Sequence, residues 1–493
     1  MTARAGTPPA PAAGHDAVTL AALVRSREVS PVELVDDALA RLERLDPLVG
    51  AFTHVGADAA RAQARAAEVA ARAAAVTGEV LGPLHGVPVA LKDTTATAGE
   101  VTSWGSAALR DHVTTFDANI ALRLRAAGTI SVGKTTTPEF GLYPHSEPAV
   151  APPSRTPWDL TRSAGGSSGG AAAAVAAGIV PIGQGADTGG SLRIPASACG
   201  VFGLKPSRGR VSSGPRVGDP AYLTAHGVVT GTVRDTAAVL DAVAGPMPGD
   251  LDALPAWPAG AAARAVRDDP RGLRIGRYRT PADGGSVHPD CVAAWERAST
   301  ALAEAGHEVE DVDPPFGPGL VEEFLVVYAV LAAAAEVPAG AEDLLQPTTR
   351  HLRERGRRVA AVTYLGAWTR LQDLARAAVA ATAGYDLLLS PTLPRPPMPV
   401  GGFSRPGDPE AELGLMAAFA GFTYPYNLTG AAVASLPVHV SAEGLPIGVQ
   451  LAAPRGGDLT VLAVAAQLER AGWPVPPVPA AVRDPFDRAG SLP

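Results

Sequence analysis

The stretch SAGGSSGGAAAA, Ser163 to Ala174, constrains the fold more than any other part of the 493-residue chain, because its first eight residues hold four glycines and three serines. Runs of glycine and serine are most often flexible linkers, and glycine clusters also form loops that cradle phosphate. A linker joins self-contained regions, yet this segment lies between two apolar stretches, IALRLRAAGTISVGK and AAAAVAAGIVPIGQG, with no change of composition across it. It is predicted to be a packed loop inside one domain.

Composition removes several classes of function. With 46% hydrophobic residues, 18% charged residues and a net charge of -8, the chain has no electrostatic case for a nucleic-acid or anionic-membrane partner. Cys199 and Cys291 are the only cysteines, too few for a disulfide framework or a Cys-based zinc site, and they point to a reducing, cytoplasmic compartment. Residues 1–20 are expected to be a flexible tail without the apolar core of a signal peptide. The longest apolar run, Ala171 to Ile182, is shorter than the roughly twenty residues that span a bilayer and is expected to be a buried helix.

The basic residues are unevenly chosen. Of 41 only three are lysine, Lys92, Lys134 and Lys205. Arginine cannot lose its proton near neutral pH, so a chain that uses arginine almost everywhere keeps lysine where a titratable amine is useful, as a catalytic base would be.

The chain alternates strand and helix patterns. Ser30, Pro31 and Glu33 supply an N-cap, an N1 proline and a capping box, followed by Val32, Val35, Leu39 and Leu42 at helical spacing. GVPVALKD alternates Val87, Val89 and Leu91, which puts Lys92 at the end of a buried strand facing away from them, and strand ends are where chemistry collects in α/β sheets. After a surface connection at about 246–263, GLRIGRY, VAAWERASTALAEAG and HEVEDV give strand, helix and strand. YDLLLSPTLP and GLPIGVQLAA add two strands, and LTVLAVAAQLERAG closes with a helix. The expected fold is α/β, a single large α/β/α domain over 21–485 with a mixed central sheet covered by helices.

Three short motifs compete for the chemistry. GTISVGKT, Gly128 to Thr135, fits the phosphate-loop pattern by letter, but a helical pattern precedes it and its Thr-Ile-Ser-Val looks like the strand itself. GGSSG fits the nucleophile elbow with Ser167 or Ser168, but polar PWDLTRSA replaces the upstream strand, and His351 and His439 carry no distinctive context. Ser131 and Lys134 form S-x-x-K without the partner motifs of a β-lactamase. Downstream, GQGADTGGSLRIPASACGVFGLKP sets Gly189 and Gly190 directly before Ser191, an arrangement that lets backbone N–H groups converge as an oxyanion hole requires. Asp187 and Arg193 flank this nest and could pair to hold it.

GGSSGG followed by DTGGSLRIPASACGVFGLKP, with the lysine of GVPVALKD upstream, resembles the amidase signature family. The likeness runs from SREVSPVELV to GLPIGVQLAA and is densest over 83–215. The separations of 75 residues from Lys92 to Ser167 and 24 from Ser167 to Ser191 also match.

The resemblance implies a Ser191 nucleophile, a bridging Ser167 that follows a cis Gly166-Ser167 peptide, and Lys92 as the base. It also implies a structural Ser168 and an oxyanion hole from the backbone of Thr188, Gly189, Gly190 and Ser191. The implied reaction is amide hydrolysis through an acyl-enzyme, with no cofactor and no metal. The substrate would be a small or medium linear, cyclic or aryl amide, with carbamates and esters as alternatives on the same triad. LKPSRGRVSSGP, PYNLTGAAVASLP and GLPIGVQLAAPRGGDL look most similar to stand-alone bacterial members, including hydrolases of 6-aminohexanoate cyclic dimer. Residues 324–331 and 424–429 are candidates for substrate contact, against a competing role in core packing, and a homodimer is compatible with this size and class.

Overall fold

The computed structural model describes residues 15–215, 219–317, 319–472 and 482. The first 14 residues of the expected tail and the expected domain end at 485 lie outside them. The helix Ala17–Ser26 starts within the segment expected to be tail: Asp16 caps it by accepting from Thr19 N, and it buries Ala17, Leu20, Ala21 and Val24.

Among the described residues eleven strands form one sheet: β1 (Phe52–Val55), β2 (Pro88–Lys92), β3 (Ile130–Thr135), β4 (Ile182–Asp187), β5 (Phe202–Lys205), β6 (Ala225–Thr230), β7 (Arg274–Arg277), β8 (Glu308–Asp311), β9 (Leu387–Pro391), β10 (Ala432–Val440) and β11 (Pro446–Ala453). Their order is β1-β3-β2-β4-β6-β5-β10-β11-β9-β7-β8. β2 runs parallel to both β3 and β4, β7 runs parallel to β8 and β9, and the other pairs are antiparallel. The sheet is therefore mixed, as expected.

Side-chain alternation sorts the strand residues into two layers. Val89 and Leu91 of β2, Ile182 of β4 and Val228 of β6 pack under helices Ala17–Ser26, Asn119–Ala126, Val233–Val243, Pro289–Glu304 and Asp458–Arg470. Ala90 of β2, Val132 of β3 and Val229 of β6 face the other way, against helices Pro31–Val49, Ala57–Thr77, Gly169–Ala176 and Arg193–Cys199. The capping box is present, with Ser30 Oγ accepting from Glu33 N at 3.1 Å and the Glu33 carboxylate accepting from Ser30 N at 2.8 Å.

Two local expectations change. The run from Ala171 to Ile182 is not one helix, because helix Gly169–Ala176 ends ahead of Gly178, which takes a left-handed φ of 71°, and β4 begins at Ile182. From Pro246 to Gly260 the chain has no helix or strand, but Ala261 opens the helix Ala261–Ala265 and is buried with Ala262. Among the described residues no helix is long and apolar enough to cross a membrane.

Candidate active site

The site forms where the C-terminal ends of the parallel neighbours β2 and β4 meet the SAGGSSGG loop. Lys92 is the last residue of β2 and is only 2% exposed. Its Nζ donates to Ser167 Oγ at 2.6 Å and to Ala186 O at 3.4 Å, while its backbone N–H is held by Gln184 Oε1 at 3.2 Å. Burial lowers the Lys92 pKa from 10.5 to about 7, against the opposing pull of the Asp187 carboxylate.

The glycines that bring Ser167 there are required by space. A Cβ on Gly166 would stand 2.5 Å from His145 O, one on Gly169 would stand 2.5 Å from Ser146 Oγ, and one on Gly170 would collide with Ala51 O and Thr136 N. The Gly166-Ser167 peptide is cis. Ser168 is fully buried, donating its N–H to Ser191 O at 3.1 Å and its hydroxyl to Ala186 O at 3.4 Å.

β4 ends at Asp187, and the nest Thr188–Ser191 follows. The Asp187 carboxylate accepts from Gly190 N at 2.8 Å, Leu192 N at 3.1 Å, Arg193 Nε and Nη2 at 2.9 Å each, and Asn427 Nδ2 at 3.0 Å. Arg193 uses its remaining N–H groups on Thr423 O at 2.8 Å, Asn427 Oδ1 at 2.7 Å and Gln450 Oε1 at 3.3 Å. Both ions are wholly buried. Burial alone would raise the Asp187 pKa, but Arg193, Lys205 and Asn427 outweigh it and hold the carboxyl well below its ordinary range. The pair is thus a buried, fully satisfied clamp and not a surface ion pair.

The clamp also takes up one amide of the nest. The Gly190 N–H is turned into Asp187, whereas the N–H groups of Thr188, Gly189 and Ser191 donate to no group among the described residues. Gly190 contributes by lacking a side chain, since a Cβ at its φ of 126° would collide with Thr423 Oγ1.

The candidate substrate residues divide in the same way. A Cβ on Gly189 would lie 3.5 Å from Tyr424 Cβ and 3.9 Å from Phe324 Cζ, and those two rings are 4.7 Å apart. Tyr328 stacks on Phe324 at 5.3 Å and donates to Leu142 O at 2.7 Å. By contrast Tyr426 is buried with its hydroxyl 2.9 Å from that of Tyr278, and Asn427 belongs to the Asp187–Arg193 clamp. Within 424–429, Tyr424 is the residue set against Gly189.

The amidase family pattern matches residues 33–462. The chain belongs to the amidase signature family. It is a hydrolase acting on amides. It is 36% identical to the 6-aminohexanoate-cyclic-dimer hydrolase of Paenarthrobacter ureafaciens over 93% of this chain and 94% of that one. It is 34% identical to the acylamidase of Rhodococcus erythropolis over 92% of this chain and 94% of that one. A solved 6-aminohexanoate cyclic dimer hydrolase superposes with a TM-score of 0.85 at 34% identity, covering 96% of this chain and 98% of that one.

In this amidase fold Gly133 and Lys134 of GTISVGKT lie inside β3, so no phosphate loop forms. Gly141 also borders these side chains: a Cβ there would be 3.4 Å from Ser167 Oγ and 3.8 Å from Lys92 Nζ. Its loop is anchored by buried Glu139, which accepts from Ser106 Oγ and from Gln346 N at 2.8 Å each. Nothing in the short sequence PEFGLY signals that proximity.

Proposed function

We propose that this amidase cleaves a carboxamide C–N bond with Ser191 as nucleophile, Ser167 as proton bridge and Lys92 as base. The observation that carries this reading is the 2.6 Å contact between Lys92 and Ser167 in a buried setting that brings the amine close to neutral at physiological pH. Ser191 Oγ attacks the carbonyl carbon while its proton passes through Ser167 Oγ to Lys92 Nζ. The amides of Thr188, Gly189 and Ser191 hold the oxyanion. On collapse the relay returns the proton to the departing nitrogen, the amine leaves, and an ester on Ser191 remains. Water then gives a proton to the same relay and attacks the ester carbon; as the C–Oγ bond breaks, the relay returns that proton to Ser191 Oγ and the carboxylic acid is freed.

The ring surfaces of Phe324, Tyr328 and Tyr424 beside the nest favour an amide with an apolar, cyclic or aryl portion, consistent with the cyclic-dimer hydrolase relatives. Carbamates and esters present the same carbonyl and would enter the same chemistry.

The test pairs a serine-reactive fluorophosphonate with substrate kinetics. Labelling should map to Ser191 and disappear in Lys92→Ala. Amide turnover in that variant should fall about 10²- to 10⁴-fold and ester turnover much less, because an ester leaving group needs less protonation. Equal losses on amide and ester, or labelling at Ser167 or Ser168, would refute the relay.

A further inference from the structure

The departing nitrogen has a defined neighbour in the relay. When the tetrahedral intermediate collapses, a proton passes from Ser167 to that nitrogen, which must therefore come within hydrogen-bond reach, about 3 Å, of Ser167 Oγ. Gly141 borders the same oxygen. A Cβ on Gly141 would lie 3.4 Å from Ser167 Oγ, 3.8 Å from Lys92 Nζ and 3.8 Å from Thr94 Cγ2. Lys92 and Ser167 are buried, whereas Gly141 is partly exposed at the edge of the pair. Any side chain at 141 would start against the oxygen that serves the leaving group, and the hydrogen that stands there keeps this space clear.

The loop is held on both sides of Gly141. Phe140 N donates to Trp104 O at 2.7 Å, and Trp104 N donates to the carbonyl of Asp93, the residue after Lys92, at 3.0 Å. Phe140 and Trp104 take left-handed φ angles of 52° and 49°, which are uncommon outside glycine and persist where surrounding contacts over-determine them. On the other side, Leu142 O accepts from the Tyr328 hydroxyl at 2.7 Å, and the Tyr328 ring is stacked on Phe324. The space beside Ser167 is therefore built in.

We propose that Gly141 sets the leaving-group specificity of this amidase, keeping room beside Ser167 for a substituent on the departing nitrogen, so that N-substituted amides are cleaved as readily as primary ones. The proposal rests on the relay described above and names the class of leaving group that it releases, an organic amine as well as ammonia.

The experiment compares hexanamide with N-butylhexanamide, which share an acyl group and release ammonia and butylamine. In the wild type the secondary amide should keep at least about one tenth of the kcat/KM of the primary amide. In Gly141→Asn that ratio should fall about tenfold, because the new side chain meets the butyl group, and in Gly141→Ala it should fall less. Asparagine tolerates a left-handed φ, here 70°, and taking the ratio cancels any strain that slows both amides alike. Fluorophosphonate labelling, which expels only fluoride, should still reach Ser191 in both variants and reports that they are folded. A wild-type ratio below about one tenth, a ratio that Gly141→Asn leaves unchanged, or turnover of neither amide by a protein whose Ser191 is labelled would overturn the role of Gly141. A wild-type Ser191 that does not react with the fluorophosphonate would overturn the hydrolytic reading instead.

Discussion

Lys92 and Lys134 occupy adjacent parallel strands, with Leu91 opposite Lys134 and Lys92 opposite Thr135, and both are almost wholly buried. Their surroundings differ in how many acceptors they offer. Lys134 Nζ donates to Thr95 O at 2.6 Å, Thr97 Oγ1 at 2.7 Å and Thr102 Oγ1 at 3.2 Å, one acceptor for each ammonium proton. Lys92 has one short partner, a serine hydroxyl that can itself pass a proton, and one long contact to a carbonyl. Lys205 resembles Lys134 in being held by fixed oxygens, the carbonyls of Pro206 and Ala431. Burial lowers all three pKa values, to about 7, 8 and 7 for Lys92, Lys134 and Lys205. Depression of the pKa therefore does not mark the base. The distinction lies in the partner, because an ammonium saturated by fixed oxygens is a strut, whereas one facing a relay hydroxyl can exchange its proton.

The sharpest way to break this comparison is to replace each lysine by methionine. Lys92→Met should lower amide kcat/KM by about 10²- to 10⁴-fold with little loss of stability, and Ser191→Ala by at least as much. Lys134→Met should do the reverse: the three abandoned oxygens cost about 2–4 kcal/mol in denaturant unfolding, while kcat stays within about tenfold of wild type. A Lys134 variant that loses its chemistry while keeping its stability would end the distinction.

The acid limb of the pH–rate profile is a gentler test. Lys92 must be neutral to accept a proton, so kcat/KM should rise as pH climbs through about 7 and should be lost below it. The limb should keep its midpoint in Lys134→Met. A limb that moves with Lys134 would reassign the base.

Stability should follow the same amines with the smallest effect. The folded state holds these lysines below their ordinary 10.5. Between pH 7 and 9 the unfolded chain therefore binds more protons, and stability rises with pH, with a limiting slope of about 1.4 kcal/mol per pH unit for each lysine. Lys134→Met should flatten that slope in urea titrations, and an unchanged slope would show that Lys134 does not titrate on folding.

What the sequence disclosed was local in character. The capping box at Ser30 and the alternation that ends at Lys92 are short-range patterns, and each has a counterpart in the structure. The sheet order was illegible, because pairings such as β5 with β10 join residues more than 200 positions apart. The same distance hid the clamp: Asp187 and Arg193 suggested a pair, but Thr423, Asn427 and Gln450 carry no local sign that they complete it. Asn427 fell within the segment expected to touch substrate and is instead consumed by Arg193 and Asp187. Gly190 misled for a related reason: two glycines before a serine suggest free amides, and only the position of the Asp187 carboxylate shows that one is taken.

The clamp also sets a schedule for the growing polypeptide. Lys92, Ser167 and Ser191 have all been synthesised by residue 191, but the partners that lock Arg193 follow it by 230, 234 and 257 residues. Contacts of such long range form late, after most of the chain has left the ribosome. A nascent or prematurely terminated chain would then carry the proposed triad without the clamp that holds the loop of Ser191, and hydrolytic competence would arrive only with β11, as a property of the finished molecule.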